Sequence, residues 1–169
     1  MKVESNDRVR YTGYTPGAIG NVTSSHAVYY HQQWGFDLSF ETQVAREMSE
    51  FMDRYDSKGD SLWIARNGKH FAGSVAVDGA LAHTEGARLR WFIVPPPFHG
   101  RGIGAALLNR ALAFCREVGH DHLFLWTFQG LAAARTLYEQ AGFQLTEEKQ
   151  GDPWGRPILE QRFDLWLTS

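Results

Sequence analysis

The chain has 169 residues, a formal net charge of −2, 43% apolar and 14% aromatic residues, and one cysteine. Such a length suits one domain, the apolar content excludes intrinsic disorder, the lone Cys115 excludes a disulfide framework and fits a reducing compartment, and the near-neutral charge speaks against a nucleic-acid partner. With no run of about 18 apolar residues for a membrane helix and a polar start from Met1 to Arg8 that lacks a signal-peptide core, a soluble cytoplasmic domain is expected.

Val9 to Tyr14 is the first predicted strand. Thr15-Pro16 follows as N-cap and N1, where proline sacrifices no hydrogen bond. The helix it opens should reach about Gln33 and stop near Gly35. Ser39 is the expected cap of a second helix. Its apolar positions Phe40, Val44, Met48, Phe51 and Tyr55 step by four, four, three and four along one face. Leu62 to Arg66 and His70 to Val77 are expected to form a hairpin through Asn67-Gly68, a pair suited to the positive-φ positions of a type I′ turn. A polar loop, Asp78 to Gly86, precedes a strand from Arg88 to Val94, ended by Pro95-Pro96-Pro97 because prolines have no N–H to donate. Ala105 to Val118 is a predicted helix with Leu107, Leu108, Ala111, Leu112 and Cys115 on one side. His122 to Thr127 is a strand, and Ala132 to Gln140 a helix ended by Gly142. Phe143 to Glu148 and Ile158 to Leu167 complete the chain as a strand pair. Hairpins alternate with crossover helices, so the expected class is α/β (α+β) with a mixed sheet. No repeat or linker divides the chain, so 1–169 is expected to be one domain with its core at about 9–167.

His99-Gly100-Arg101-Gly102-Ile103-Gly104 lies between a strand and a helix. Glycines let backbone approach a bulky anion without Cβ clashes. The free N–H groups and dipole of a helix start favour phosphate, and Arg101 adds a cation. The alternative is a tight turn without a ligand. A Walker loop is excluded, since Ala105-Ala106 stand where Lys-Ser/Thr is required. Gly100, Gly102 and Ala105 satisfy the Rossmann pattern, but the next strand ends Leu125-Trp126-Thr127 without the ribose-binding acid. The seven histidines show no metal-site spacing, and Cys115 reads as packing.

These residues resemble the GNAT family of N-acetyltransferases. Val94, Pro96, Gly100, Gly102 and Gly104 match its acetyl-CoA motif in register, with His99 where the family has Gln or Arg. Ala134, Leu137, Tyr138, Gly142 and Phe143 match a second motif, with Leu131 at its usual Asn. Tyr29-Tyr30, Trp34-Gly35-Phe36-Asp37, Phe40-Glu41, Arg90-Trp91-Phe92 and Trp154-Gly155 look like the module that follows MarR-type winged helices in some bacterial regulators, here without the winged helix.

The resemblance implies a mixed, mostly antiparallel sheet of about seven strands flanked by about four helices. It implies acetyl-CoA as co-substrate, no metal, and transfer to the primary amine of a small or amino-acid-like acceptor by direct attack in a ternary complex. Pyrophosphate is expected on the amides of Arg101, Gly102, Gly104 and Ala105, bordered by His99, Gly100, Ile103 and Leu131. The pantetheine arm is expected along Phe92, Ile93 and Val94. The Val94 N–H is the expected oxyanion donor, and Tyr138 the acid for the leaving thiolate. The fourth strand lacks the Glu base of many relatives, so Glu41 is the candidate base, against the plainer reading of a helix-start acid. Tyr30, Trp34, Phe36, Trp126 and Trp154 are expected around the acceptor. Arg90 either pairs with an acid such as Glu41 or holds an acceptor carboxylate. A homodimer is expected. Two alternatives stand: a non-catalytic acetyl-CoA sensor, and a protein or peptide N-acetyltransferase.

Overall fold

The strands join in one sheet, ordered β1-β2-β3-β4-β5-β7-β6, in a computed structural model that describes residues 8–167. The polar segment before Arg8 lies outside the described residues. In chain order the elements are β1 (Val9–Thr12), α1 (Ala18–Trp34), α2 (Leu38–Asp53), β2 (Ser61–Asn67), β3 (His70–Asp78), β4 (Ala87–Ile93), a 3₁₀ turn (Pro96–Phe98), α3 (Ile103–Val118), β5 (His122–Phe128), α4 (Ala132–Ala141), β6 (Gln144–Gly151) and β7 (Ile158–Trp166). All neighbouring strands are antiparallel except β4 and β5, which run parallel. The described residues thus form an α+β architecture with one seven-stranded mixed sheet and four α-helices, as expected.

Strand alternation sends side chains to both faces of the sheet, and each face has its own core. Leu107, Leu112 and Cys115 of α3 and Tyr138 of α4 pack with Val75, Val77, Leu123 and Phe163. Val22 of α1 and Phe40, Met48 and Phe51 of α2 pack with Ile64, Ala76 and Trp91 on the other face. Burial pushes the Cys115 thiol up to about 12, so it is a packing group at neutral pH.

Several local signals act one or two residues away from where the sequence places them. Thr15 and Pro16 precede α1: the Thr15 carbonyl accepts from Ala18 N at 3.0 Å, and Gly17 is the N-cap. Asp37, not Ser39, caps α2, its Oδ1 accepting from Ser39 N at 3.0 Å. Asn67 pairs with His70, leaving Gly68-Lys69 as the loop. Only Gly68 has a positive φ there (59°), so the type I′ turn does not form. The register slip lies between Ala65 and Arg66.

The decisive irregularity is in β4. It pairs with β5 only at Ala87↔Leu123 and Arg88↔Phe124. Opposite β3, the register moves from Ala76↔Arg90 to Ser74↔Ile93, so β4 carries one extra residue. Trp91 absorbs it at φ 47°, the one non-glycine positive φ among the described residues. The buried Ser74 Oγ donates to Trp91 O at 2.7 Å and holds this bulge. Bulges bend the strand that carries them, and beyond Arg88 the two parallel strands separate. Among the described residues, no helix is long and apolar enough to cross a membrane.

Candidate active site

A cavity of about 1270 Å³ opens where β4 and β5 part. Its walls come from α3 and α4 on one face of the sheet and from α1 and α2 on the other.

The first wall is mainly backbone. Gly100 and Gly102 take φ of 77° and 76°, with open space within 4 Å of where a Cβ would stand. The first helical bond of α3 runs from Ala106 N to Gly102 O at 3.1 Å. The N–H groups of Ile103, Gly104 and Ala105 therefore have no acceptor within the helix. Such a cluster at a positive helix end suits an anion. A Cβ at Gly104 would meet Leu137 Cδ1 at 3.0 Å, so glycine here lets the turn and α4 pack closely. The His99 ring donates from Nε2 to Val94 O at 2.6 Å, tying the turn to the end of β4.

Tyr138 completes this wall. Ala134, Leu137 and Tyr138 share one face of α4 by their i, i+3, i+4 spacing. The buried phenol ring packs near Phe92, Phe143 and Phe163, with centroids 5.7, 5.9 and 6.2 Å away. Burial, with the Tyr30 phenol nearby, pushes Tyr138 well above the usual tyrosine value. The group stays protonated at neutral pH and can donate.

The second wall is made of side chains. Helical spacing on α1 presents His26, Tyr29, Tyr30, Gln33 and Trp34, and on α2 Phe40, Gln43, Val44 and Glu47. Trp126, Lys149, Trp154 and Glu160 close the chamber. Tyr30 sits among Phe36, Phe40 and Phe128, with ring centroids at 6.0, 5.4 and 5.6 Å. A polar chain crosses this wall. Trp154 Nε1 donates to Gln43 Oε1 at 2.8 Å, and Gln43 Nε2 to Glu47 Oε1 at 3.4 Å. Arg90 then bridges Glu47 Oε2 at 2.9 Å and Asp78 Oδ2 at 3.0 Å. Burial alone would raise Asp78, but the Ala80 amide, Arg54 and Arg90 hold it below the usual carboxylate range. His26 donates from Nδ1 to Val22 O at 2.7 Å, and burial lowers its pKa to about 4. Its ring is neutral at pH 7, with Nε2 as an acceptor.

The model of the acetyltransferase (GNAT) family matches residues 25–143, more than half of the chain. The chain belongs to the GNAT family. An uncharacterized N-acetyltransferase of Schizosaccharomyces pombe is 30% identical over 127 residues, covering 73% of this chain and 76% of that protein. One from Methanocaldococcus jannaschii is 29% identical over 138 residues, covering 78% of this chain and 59% of its own. The chain spans about half the length of several mammalian relatives it matches. A Salmonella typhimurium structure, described as an acetyltransferase with its cofactor acetyl-CoA, superposes with a TM-score of 0.75 at 15% identity, over 95% of each chain.

The GNAT motif residues Phe92, Ile93, Val94, His99, Gly100, Gly102, Ile103, Gly104, Ala105, Leu131 and Tyr138 all line the one cavity. Tyr30, Trp34, Arg90, Trp126 and Trp154 line it too. Three expected residues do not. Arg101 turns to the β2–β3 hairpin, where the Asn67 amide, once oriented with its oxygen towards the guanidinium, accepts from both Nη atoms at 2.9 and 3.0 Å. Phe36 is 2% exposed and packs behind Tyr30 and Trp154. Glu41 is exposed at the start of α2, off the face that carries Phe40, Val44 and Glu47 into the cavity. Arg90 meets Glu47 and Asp78 instead of Glu41. Leu131 occupies the N-cap of α4 and provides no side-chain cap.

Glu47, Gln43, His26, Arg88, Lys149 and Glu160 line the cavity without having been singled out from the sequence. For Glu47 a signal existed: it lies seven residues, two helical turns, after Phe40. For Arg88, Lys149 and Glu160 none did, because β4, β6 and β7 converge only in three dimensions.

Proposed function

We propose that this chain is an acetyl-CoA-dependent N-acetyltransferase acting on the primary amine of a small molecule by direct attack in a ternary complex. One observation carries it. A single cavity joins the anion-binding start of α3, the Tyr138 phenol and, through the gap between β4 and β5, an aromatic chamber containing Glu47.

The open glycine turn fits a pyrophosphate, which has room in front of Gly100 and Gly102. Acetyl-CoA supplies the acetyl group as a thioester. The amides from Ile103 to Ala105 bind the phosphates, and the edge of β4 from Phe92 to Val94 pairs with the pantetheine arm. The Val94 N–H donates to the acyl oxygen as charge develops there. Tyr138 gives its proton to the departing sulfur. Glu47, oriented by Arg90 and Gln43, takes a proton from the attacking amine. The S. typhimurium structure described with acetyl-CoA and the relatives named N-acetyltransferase support this assignment. The aromatic walls favour a partly apolar amine.

In the same proposal, 1–169 acts as one domain in the cytoplasm of a bacterium, kin to the modules that follow MarR-type winged helices, and pairs as a homodimer. The reduced, buried Cys115 and the aromatic motifs support this setting. Light scattering tests the dimer.

The test is thiol release from acetyl-CoA with a panel of primary amines. Amine-dependent release is expected. Acetyl-CoA binding by calorimetry without release from any amine would overturn the catalytic assignment in favour of a sensor.

A further inference from the structure

Five fully charged side chains line the cavity: Arg88, Arg90, Lys149, Glu47 and Glu160. Four of them are compensated within the fold. Arg90 holds Glu47 at 2.9 Å, and Lys149 stands 3.8 Å from Glu160. Arg88 is the exception. It is half-buried in β4, its Nε is buried without a hydrogen-bond partner, and no described residue forms an ion pair or hydrogen bond with its guanidinium. Its nearest charged company is mixed: Arg90 and Arg162 oppose its charge, while Glu47 and Asp78 favour it. Asp78 is already engaged by Arg54 and Arg90.

A buried Nε–H without an acceptor is costly, and the other two cationic side chains of the cavity, Arg90 and Lys149, have carboxylate partners. We propose that Arg88 receives a carboxylate of the acceptor, so that the substrate class is an amine bearing a carboxylate. This deepens the acetyltransferase assignment and rests on it. The planar guanidinium fork matches a carboxylate in two parallel hydrogen bonds. One uncompensated positive charge balances one carboxylate, whereas a phosphate would bring up to two negative charges against it.

The position on β4 adds a length requirement. Opposite β3, Arg88 and Ile93 face Asp78 and Ser74, four residues apart, so at about 3.3 Å per residue Arg88 lies roughly 13 Å along the strand from Ile93, the residue before the proposed oxyanion donor Val94. That span exceeds one arginine side chain. The acceptor is therefore extended, with its amine and carboxylate at opposite ends, rather than an α-amino acid.

The experiment compares kcat/KM for 6-aminohexanoate, its methyl ester, hexylamine and glycine, read as thiol release, in the wild type and in Arg88→Met and Arg88→Lys. The wild type is expected to prefer the acid over the ester by about 10- to 100-fold, the worth of a charge-assisted hydrogen bond, and to prefer it over glycine. In Arg88→Met the acid-to-ester ratio is expected to collapse towards one, with partial return in Arg88→Lys. The wild-type ratio alone decides the matter should the variants misfold. Equal rates for acid and ester in the wild type, with turnover present, overturn the carboxylate site and leave the acetyltransferase assignment standing. An unchanged ratio in Arg88→Met also overturns it. Absence of thiol release with every amine overturns the parent assignment and this one together.

Discussion

On the α3–α4 side of the cavity, the groups facing a ligand are mostly backbone amides and glycine-cleared space; on the α1–α2 side they are side chains drawn from α1, α2, β4, β5, β6 and β7. The difference has a physical consequence. A backbone anion site tolerates side-chain replacement around it, which is why His99 can stand at a Gln/Arg position and serve by tying the turn to Val94. A side-chain chamber changes its ligand whenever one residue changes, without disturbing the sheet beneath it. The proposed function accordingly assigns the acceptor to the second wall and acetyl-CoA to the first.

Tyr138→Phe tests this division hardest, because it removes the first wall's one chemical side chain. A fall in kcat of about 10²- to 10⁴-fold is expected, the range for a general acid, with the KM for acetyl-CoA unchanged. Unaltered kcat would make the first wall purely a binding surface. Because burial raises this phenol above its usual value of about 10, it keeps its proton throughout the neutral range. The kcat profile should show no alkaline limb from it below about pH 10.

The second wall should also be the acid-sensitive one. His26 titrates at about 4 in the fold against 6.5 when exposed. Its neutral form is favoured on folding, so its contribution is full above pH 6.5 and is lost as pH falls towards 4. The loss approaches about 3 kcal/mol at 1.36 kcal/mol per unit. Denaturation midpoints of the wild type and His26→Gln between pH 7 and 4 check it, and the variant's midpoint should fall less steeply.

Glu47→Gln should lower kcat/KM by about 10²-fold, in the range of a lost base, while Glu41→Gln stays near wild type in the same thiol-release assay. The reverse pattern would return the base to the start of α2. The smallest effect is expected at Gly102→Ala. Its φ of 76° costs an L-residue about 1–2 kcal/mol, read by chemical denaturation. The KM for acetyl-CoA should rise while that for the acceptor holds. A change in the acceptor KM instead would blur the boundary between the walls.

Much of the first wall was legible in the sequence because it is contiguous. Val94, Pro96, Gly100, Gly102 and Gly104 belong to a turn whose dihedrals and helix-terminal amides are set within a few residues, and Tyr138 was singled out by its place in a motif that resembles the GNAT pattern. The order of strands and helices was legible for the same reason. Local signals still erred where neighbours competed for a role. Asp37 outcompeted Ser39 as the cap of α2, and a register slip at Ala65 moved the hairpin loop to Gly68-Lys69. The second wall was read less well. Phe36 and Tyr30 are both aromatic residues near the end of α1, yet one is core and the other lines the chamber.

What the sequence by itself determined was the set of elements and the glycine turn at the start of α3, since periodicity, capping and glycine dihedrals are local. Only the tertiary structure decided that β4 and β5 part after two residue pairs, that Glu47 and not Glu41 enters the opening, and that Arg90 is paired while the Arg88 Nε has no partner among the described residues. Ion pairing and burial depend on what a side chain meets across the fold: Arg90 finds its carboxylate 43 residues away, a distance over which no local pattern carries information.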